Sequence, residues 1–121
     1  MIGYVTIGTN DFEKSRPYYD VLLAEFGGKR AWNDERVQGY AGRHGMVAIC
    51  KPFDGKPMTV GNGAMFAFSA KSREQVDEVY AKAMALGSKD EGAPGLRGDN
   101  FYGAYFRDLE GNKLCVFKLG K

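Results

Sequence analysis

The chain carries one pattern twice, and this internal repeat constrains its fold more than any other feature. Shifting the sequence by sixty positions aligns Gly27 with Gly87 and Lys29 with Lys89. Each copy opens with an apolar strand, passes through a polar break and continues as a helix that stops at a glycine. Two copies are too few to stack into a solenoid. The repeat therefore predicts two similar halves that face each other.

Composition excludes several classes of protein. The length of 121 residues suits one domain or two small modules that share a core. The 17 basic and 15 acidic residues are spread along the chain, which argues against the basic stripe of a nucleic-acid-binding surface. No apolar run approaches the roughly 20 residues of a membrane span. Cys50 and Cys115 both lie in apolar strand patterns, which favours two reduced core thiols over a disulfide. With no basic segment before the first strand to suggest a signal peptide, we expect a cytoplasmic protein.

The opening strand of each half alternates between two environments. In a strand, successive side chains point to opposite faces. The pattern therefore separates two sets of side chains. The side chains expected to pack against a helix are Val5, Ile7, Phe66 and Phe68. Those expected to face away from it are Tyr4, Thr6, Met65 and Ala67.

The helices have recognisable ends. Asp11–Phe26 has apolar residues at helical spacing, and Thr9, Asn10 and Asp11 before or at its start can cap it. Of these, Asn10 with Glu13 three positions later fits a capping box best. Pro17 removes one helix donor, so it is expected to start the regular helix or to kink it. In the second half, Ser72 is the predicted N-cap.

Prolines and glycines mark the boundary between the halves. The segment of about 52–63 contains two prolines and three glycines and is the predicted linker. We therefore predict a single domain, 1–121, with a first module of about 1–55 and a second of about 64–121. After its helix, each module continues as two or three strands, and the second ends in a hairpin around Asp108–Asn112.

The two ends of the chain resemble a known family. The opening MIGYVTIGTNDFEKSRPYYDVLL and the ending YGAYFRDLEGNKLCVF, together with the doubled module, are similar to the vicinal oxygen chelate superfamily of glyoxalases, bleomycin resistance proteins and extradiol dioxygenases. The resemblance implies an α+β fold. It consists of two βαβββ modules that form a curled mixed sheet, or half-barrel, with the helices outside and a cavity within.

The resemblance also implies four positions at which catalytic members hold a divalent metal. They fall on Tyr4, on Met65, on Cys115 and near Ile49. Only Cys115 is a plausible ligand, whereas zinc takes three or four protein ligands and hard cations take carboxylate oxygens. The one histidine, His44, lies in a predicted hairpin turn. We therefore expect no metal and no other cofactor.

An apolar, aromatic lining with a few polar groups is typical of a small-molecule pocket. Arg97 could anchor a carboxylate or a phosphate through its planar guanidinium. Trp32 could stack on a ligand, and Cys115 could act as a nucleophile if a positive neighbour lowered its pKa. The predicted pocket residues are Tyr4, Thr6, Trp32, Met65, Arg97, Asn100, Tyr102 and Cys115.

Three functions stay open from the sequence. The first, which these residues favour, is metal-free binding of a small molecule by a homodimer, as the bleomycin resistance branch implies. The second is a lyase or isomerase of the lactoylglutathione lyase type that uses a displaced metal or none, so whether the chain is an enzyme is undecided. The third is an interaction module with a filled core. Gly92-x-x-Gly95-x-x-Gly98 does not match a dinucleotide fingerprint in spacing or context.

Overall fold

The computed structural model describes residues 1–120 and divides into two compact units, Met1–Val60 and Gly61–Lys121. The division falls inside the proline- and glycine-rich segment. In the part of the chain that is described, no helix is long and apolar enough to cross a membrane.

The first unit is a four-stranded mixed sheet with one helix. Its elements are β1 (Tyr4–Gly8), α1 (Phe12–Ala24), β2 (Lys29–Asn33), β3 (Val37–Gly42) and β4 (Gly45–Cys50). The strand order is β1-β4-β3-β2. The β1 strand pairs in parallel with β4, and the other neighbours are antiparallel.

The second unit has the same topology. Its elements are β5 (Phe66–Ser69), α2 (Arg73–Ala85), β6 (Lys89–Leu96), β7 (Phe101–Arg107) and β8 (Lys113–Leu119). The order β5-β8-β7-β6, with β5 and β8 parallel, reproduces that of the first sheet. The predicted pair of βαβββ modules is therefore confirmed, as two four-stranded sheets with one helix each.

Glycine ends both helices, as the repeat predicts. Gly27 and Gly87 have φ angles of +77° and +102°, a conformation that glycine adopts without steric cost. Each helix has 13 residues.

The N-cap of α1 differs from the prediction. Asp11, and not Asn10, accepts the hydrogen bond from the Glu13 amide, at 3.0 Å. The side-chain oxygen of Asn10 instead accepts a hydrogen bond from the Met58 amide at 2.7 Å. This bond ties the loop after β4 to the start of α1. Pro17 lies inside α1 and so does not start the helix. Ser72 caps α2 as predicted, because its hydroxyl accepts the Gln75 amide hydrogen at 3.1 Å.

Hydrogen bonds between tyrosine and aspartate side chains join each helix to its own sheet. The Tyr40 hydroxyl of β3 donates a 2.9 Å hydrogen bond to Asp20 of α1. In the second unit, the Tyr102 hydroxyl of β7 donates to Asp77 of α2 at 2.7 Å. These bonds identify the sheet face that packs on the helix. The predicted helix-side residue Ile7 lies on that face and is almost fully buried.

Candidate functional site

Each sheet has one face that its own helix leaves uncovered. In the first unit, Thr6, Ala48 and Gly39 pair in one row across β1, β4 and β3, on the side opposite Ile7 and Tyr40. Tyr4 lies on the same side of β1, two residues from Thr6, and Trp32 of β2 lies over Gly39. We call these five residues the first open face.

Two aromatic rings span the first open face. Tyr4 and Trp32 belong to the two outer strands, whose backbones are about 14 Å apart at ordinary strand spacing. Their ring centroids are nevertheless only 5.9 Å apart, in an edge-to-face arrangement. The rings lie above small residues, since Gly39 has no side chain and Ala48 is fully buried. Both rings keep exposed surface, 55% for Tyr4 and 39% for Trp32, so they can stack on a flat ligand.

The corresponding surface of the second unit carries positive charge. Ala67, Cys115, Tyr105 and Gly92 form one row across β5, β8, β7 and β6. The Arg97 guanidinium carbon lies 5.4 Å from the centre of the Tyr105 ring. The Lys113 ammonium lies 5.5 Å from the same centre. We call these six residues the second open face.

Two glycines make room for the Arg97 side chain. A Cβ at Gly92 would lie 3.1 Å from one terminal nitrogen of Arg97, and a Cβ at Gly95 would lie 3.1 Å from the other. The guanidinium therefore rests against bare backbone, where Nη2 donates a 2.9 Å hydrogen bond to the Ala93 carbonyl. Two glycines of the glycine-rich segment thus position a cation beside Tyr105.

The Cys115 thiol is buried and protonated at neutral pH. Burial raises its pKa to about 11, although the charges of Arg97 and Lys113 act in the opposite direction. No surface of Cys115 is exposed. A neutral, inaccessible thiol is a poor nucleophile and a poor metal ligand, so Cys115 forms an apolar part of the second open face.

Comparison with known proteins identifies the family. The model of the Glyoxalase/Bleomycin resistance protein/Dioxygenase superfamily matches residues 1–116. A crystal structure of a glyoxalase/bleomycin resistance protein from Albidiferax ferrireducens T118 is similar over 98% of each chain, with 37% identity and a TM-score of 0.90. This chain belongs to the glyoxalase/bleomycin resistance/dioxygenase superfamily.

More distant structures share the fold. A glyoxalase/bleomycin resistance protein/dioxygenase family enzyme from Burkholderia phytofirmans PsJN is 18% identical over 97% of each chain, with a TM-score of 0.78. Lactoylglutathione lyase from Agrobacterium tumefaciens is 20% identical over 98% of this chain and 92% of its own, with a TM-score of 0.75. A comparison with curated proteins found no match.

The strand register changes one of the four metal positions that the superfamily implies. Cys115 pairs with Ala67 as Ala48 pairs with Thr6. Ile49 instead pairs with Ile7 and is fully buried on the helix side. Ala48 is therefore the β4 residue that corresponds to Cys115. The predicted position near Ile49 differs from this one by a single residue. A shift of one residue moves a side chain to the opposite face of the sheet.

The residues at these positions do not fit the divalent metal of the superfamily. Tyr4, Ala48, Met65 and Cys115 offer one phenol, one thioether and one buried thiol. These groups lack the imidazole and carboxylate donors that zinc and harder cations take. Among residues 1–120, no three His, Cys, Asp or Glu side chains lie together as a metal site would require.

Three other predicted residues lie in different surroundings. Tyr102 is on the helix side of β7, where its hydrogen bond to Asp77 raises the pKa of its phenol. Asn100 is exposed in the turn before β7, and its carbonyl accepts the Gly120 amide hydrogen. Met65 is 42% exposed and directly precedes β5. The structure thus brings Arg97 and Cys115 together and separates Tyr102 from both.

Tyr105 and Lys113 were not among the residues predicted for the site. The closing turn places Arg107 opposite Lys113 and therefore Tyr105 opposite Cys115. Counting outward from the Asp108–Asn112 turn would have found both residues. A separate hollow of about 260 Å³ lies at the ends of β1 and β4, lined by Thr9, Asn10, Lys51, Pro52, Gly55, Lys56 and Pro57. It contains none of the predicted site residues.

Proposed function

We propose that this chain binds a small organic molecule on an open face of one of its two sheets, without a metal ion. One observation supports the proposal: the side chains at the superfamily's metal positions lack imidazole and carboxylate donors, while aromatic and cationic side chains lie on the same faces. A chain without a metal ion at this site lacks the Lewis acid that would polarise a carbonyl group. The exposed rings and charges that are left are suited to binding.

The composition of the two faces supports this function. Small-molecule sites are mostly apolar and aromatic, with a few polar groups that fix the orientation of the ligand. The first open face carries the rings of Tyr4 and Trp32, which are 5.9 Å apart. The second carries the Tyr105 ring and two cations beside it. On the first open face, Thr6 supplies an exposed hydroxyl.

A ligand screen on metal-free protein tests the proposal. Protein treated with a chelator would be screened by thermal shift against aromatic, thiol-conjugate and drug-like compounds, and hits would be repeated with Tyr4→Leu. Phe53→Leu is the matched control, because Phe53 is 89% exposed in the loop after β4. We expect hits that raise the melting temperature of the wild type and of the control, and hits that occupy the first open face should lose this effect in Tyr4→Leu. No hit, or turnover of the methylglyoxal–glutathione adduct only when metal is added, would contradict the proposal.

A homodimer and a cytoplasmic location stay predictions. The bleomycin resistance branch of the superfamily, which works without metal, supports the dimer. Light scattering coupled to size-exclusion chromatography tests it, and a mass of one chain at micromolar concentration would contradict it.

A further inference from the structure

The second open face carries more positive charge than its own carboxylates neutralise. Three cations lie there, since Arg107 pairs across the strands with Lys113 and Arg97 lies beside Tyr105. Arg107 has a carboxylate partner, Glu91, at 3.3 Å. Arg97 and Lys113 have none: within residues 1–120, neither forms an ion pair.

The Arg97 guanidinium is held in place, but most of its N–H groups make no hydrogen bond within the described residues. One N–H of Nη2 is donated to the Ala93 carbonyl, while the backbone N–H of Arg97 donates to the Phe101 carbonyl at 2.7 Å and closes the turn. The other guanidinium N–H groups have no partner in the described part of the chain. A planar guanidinium fixed in this way can bind a carboxylate or phosphate through two parallel hydrogen bonds.

Apolar surface lies next to the two cations. The Tyr105 ring contacts both of them, and Cys115 is its neighbour across the strands. Farther along the same face, the rings of Phe101 and Phe117 stack at 5.2 Å, with their planes 6° apart. A molecule with an oxyanion at one end and a flat apolar body could contact both kinds of surface.

We propose that Arg97 and Lys113 bind the oxyanion, a carboxylate or a phosphoryl group, of the small molecule that the second open face recognises. Tyr105 carries the apolar part next to that group. This inference rests on the proposed metal-free binding and adds the chemical class of the ligand. The burial of Cys115 beside the cations supports it, because an apolar wall strengthens the attraction between charges.

The test compares charged and neutral probes of one shape on chelator-treated protein. The probes are phenylacetate, phenyl phosphate and 2-phenylethanol, with affinities taken from amide chemical shifts at low salt. We expect at least one anion to bind about tenfold more tightly than the alcohol, since a charge-assisted bidentate bond contributes on that scale. Comparison of phenylacetate with phenyl phosphate identifies which oxyanion is preferred.

Charge-removing variants assign the effect to residues. Arg97→Gln and Lys113→Gln are each expected to weaken anion binding about fivefold or more and to change alcohol binding by less than about twofold. Lys118→Gln is the matched control, because Lys118 lies on the same strand but pairs with Tyr102 on the helix side. It should bind all three probes as the wild type does. If Arg97→Gln does not fold, Arg97→Lys replaces it. Lysine keeps the positive charge but lacks the paired N–H donors of the guanidinium, so we expect an intermediate affinity for the anions.

Two results would overturn the inference. Equal binding of all three probes, or anion binding that is unchanged in both Arg97→Gln and Lys113→Gln, would contradict anion recognition and leave metal-free binding intact. If no probe binds and the ligand screen also gives no hit, both the inference and the proposed function fail.

Discussion

The Tyr4 ring meets the Trp32 ring edge-on at 5.9 Å, although the two residues belong to strands at opposite edges of one sheet. The contact depends on what lies beneath it. A side chain at Gly39 would occupy the space of the indole ring. The absence of a side chain in β3 thus lets an aromatic surface form on the first open face.

Gly39→Ala tests this arrangement. The added methyl group overlaps Trp32, so the ring must move, and overpacking of this kind costs about 1–3 kcal/mol. We expect a red shift in the fluorescence of Trp32, the only tryptophan of the chain, and a lower urea midpoint. Gly45→Ala is the control, because nothing lies within 4 Å of its Cβ position. Unchanged fluorescence in Gly39→Ala would contradict the packing of Trp32 over Gly39.

Tyr40→Phe removes the hydroxyl that joins β3 to α1. Burial alone would raise the pKa of Asp20, yet the hydrogen bonds from Arg30 and Tyr40 lower it. Because Tyr40 is only 1% exposed, loss of its hydroxyl should reduce the free energy of unfolding by about 1–2 kcal/mol. Tyr80→Phe removes a similar but exposed bond to Asp90, and less than about 0.5 kcal/mol is expected. Urea denaturation compares the two variants, and equal effects would contradict the difference in burial.

The reactivity of Cys115 follows from its burial. A pKa of about 11 leaves roughly a hundredfold less thiolate at pH 8 than an ordinary thiol has. In a Cys50→Ala variant, we therefore expect Ellman's reagent to modify native Cys115 at least about a hundredfold more slowly than the urea-unfolded chain. In the Cys115→Ala variant the remaining thiol is Cys50, which is only half-buried. Its labelling rate serves as the comparison. Rapid labelling of native Cys115 would contradict the buried, neutral thiol.

The same pKa gives a stability change at alkaline pH. The thiol pKa rises from 9.0 to about 11 on folding, so the folded chain keeps a proton that the unfolded chain loses. Stability from this group is complete below pH 9 and is lost as the pH rises through 11, by about 2.7 kcal/mol in total. Between pH 8 and pH 10.5, the urea midpoint should decrease more for the wild type than for Cys115→Ala. Parallel decreases would contradict this assignment.

The sequence predicted the fold well because the fold depends on local patterns. The repeat, the glycines at Gly27 and Gly87 and the Ser72 cap are each short-range signals, and the structure confirms them. The alternation of Tyr4 and Thr6 against Ile7 likewise assigned the faces of β1 correctly.

The site was harder to predict because it depends on strand register. A displacement of one residue assigned Ile49 where Ala48 lies, and Tyr102 was chosen although Tyr105 pairs with Cys115. The position of Arg97 depends on the bare backbone at Gly92 and Gly95, which local propensity does not reveal. Relations of this kind join residues distant in sequence, so they appear only once the strands are paired.

Metal content tests the central claim most directly. Tag-free protein would be incubated with excess nickel, zinc, manganese and iron, desalted and subjected to elemental analysis. We expect a stoichiometry near zero, because Tyr4, Ala48, Met65 and Cys115 do not supply the donors that a divalent metal requires. A stoichiometry near one metal per chain would contradict it.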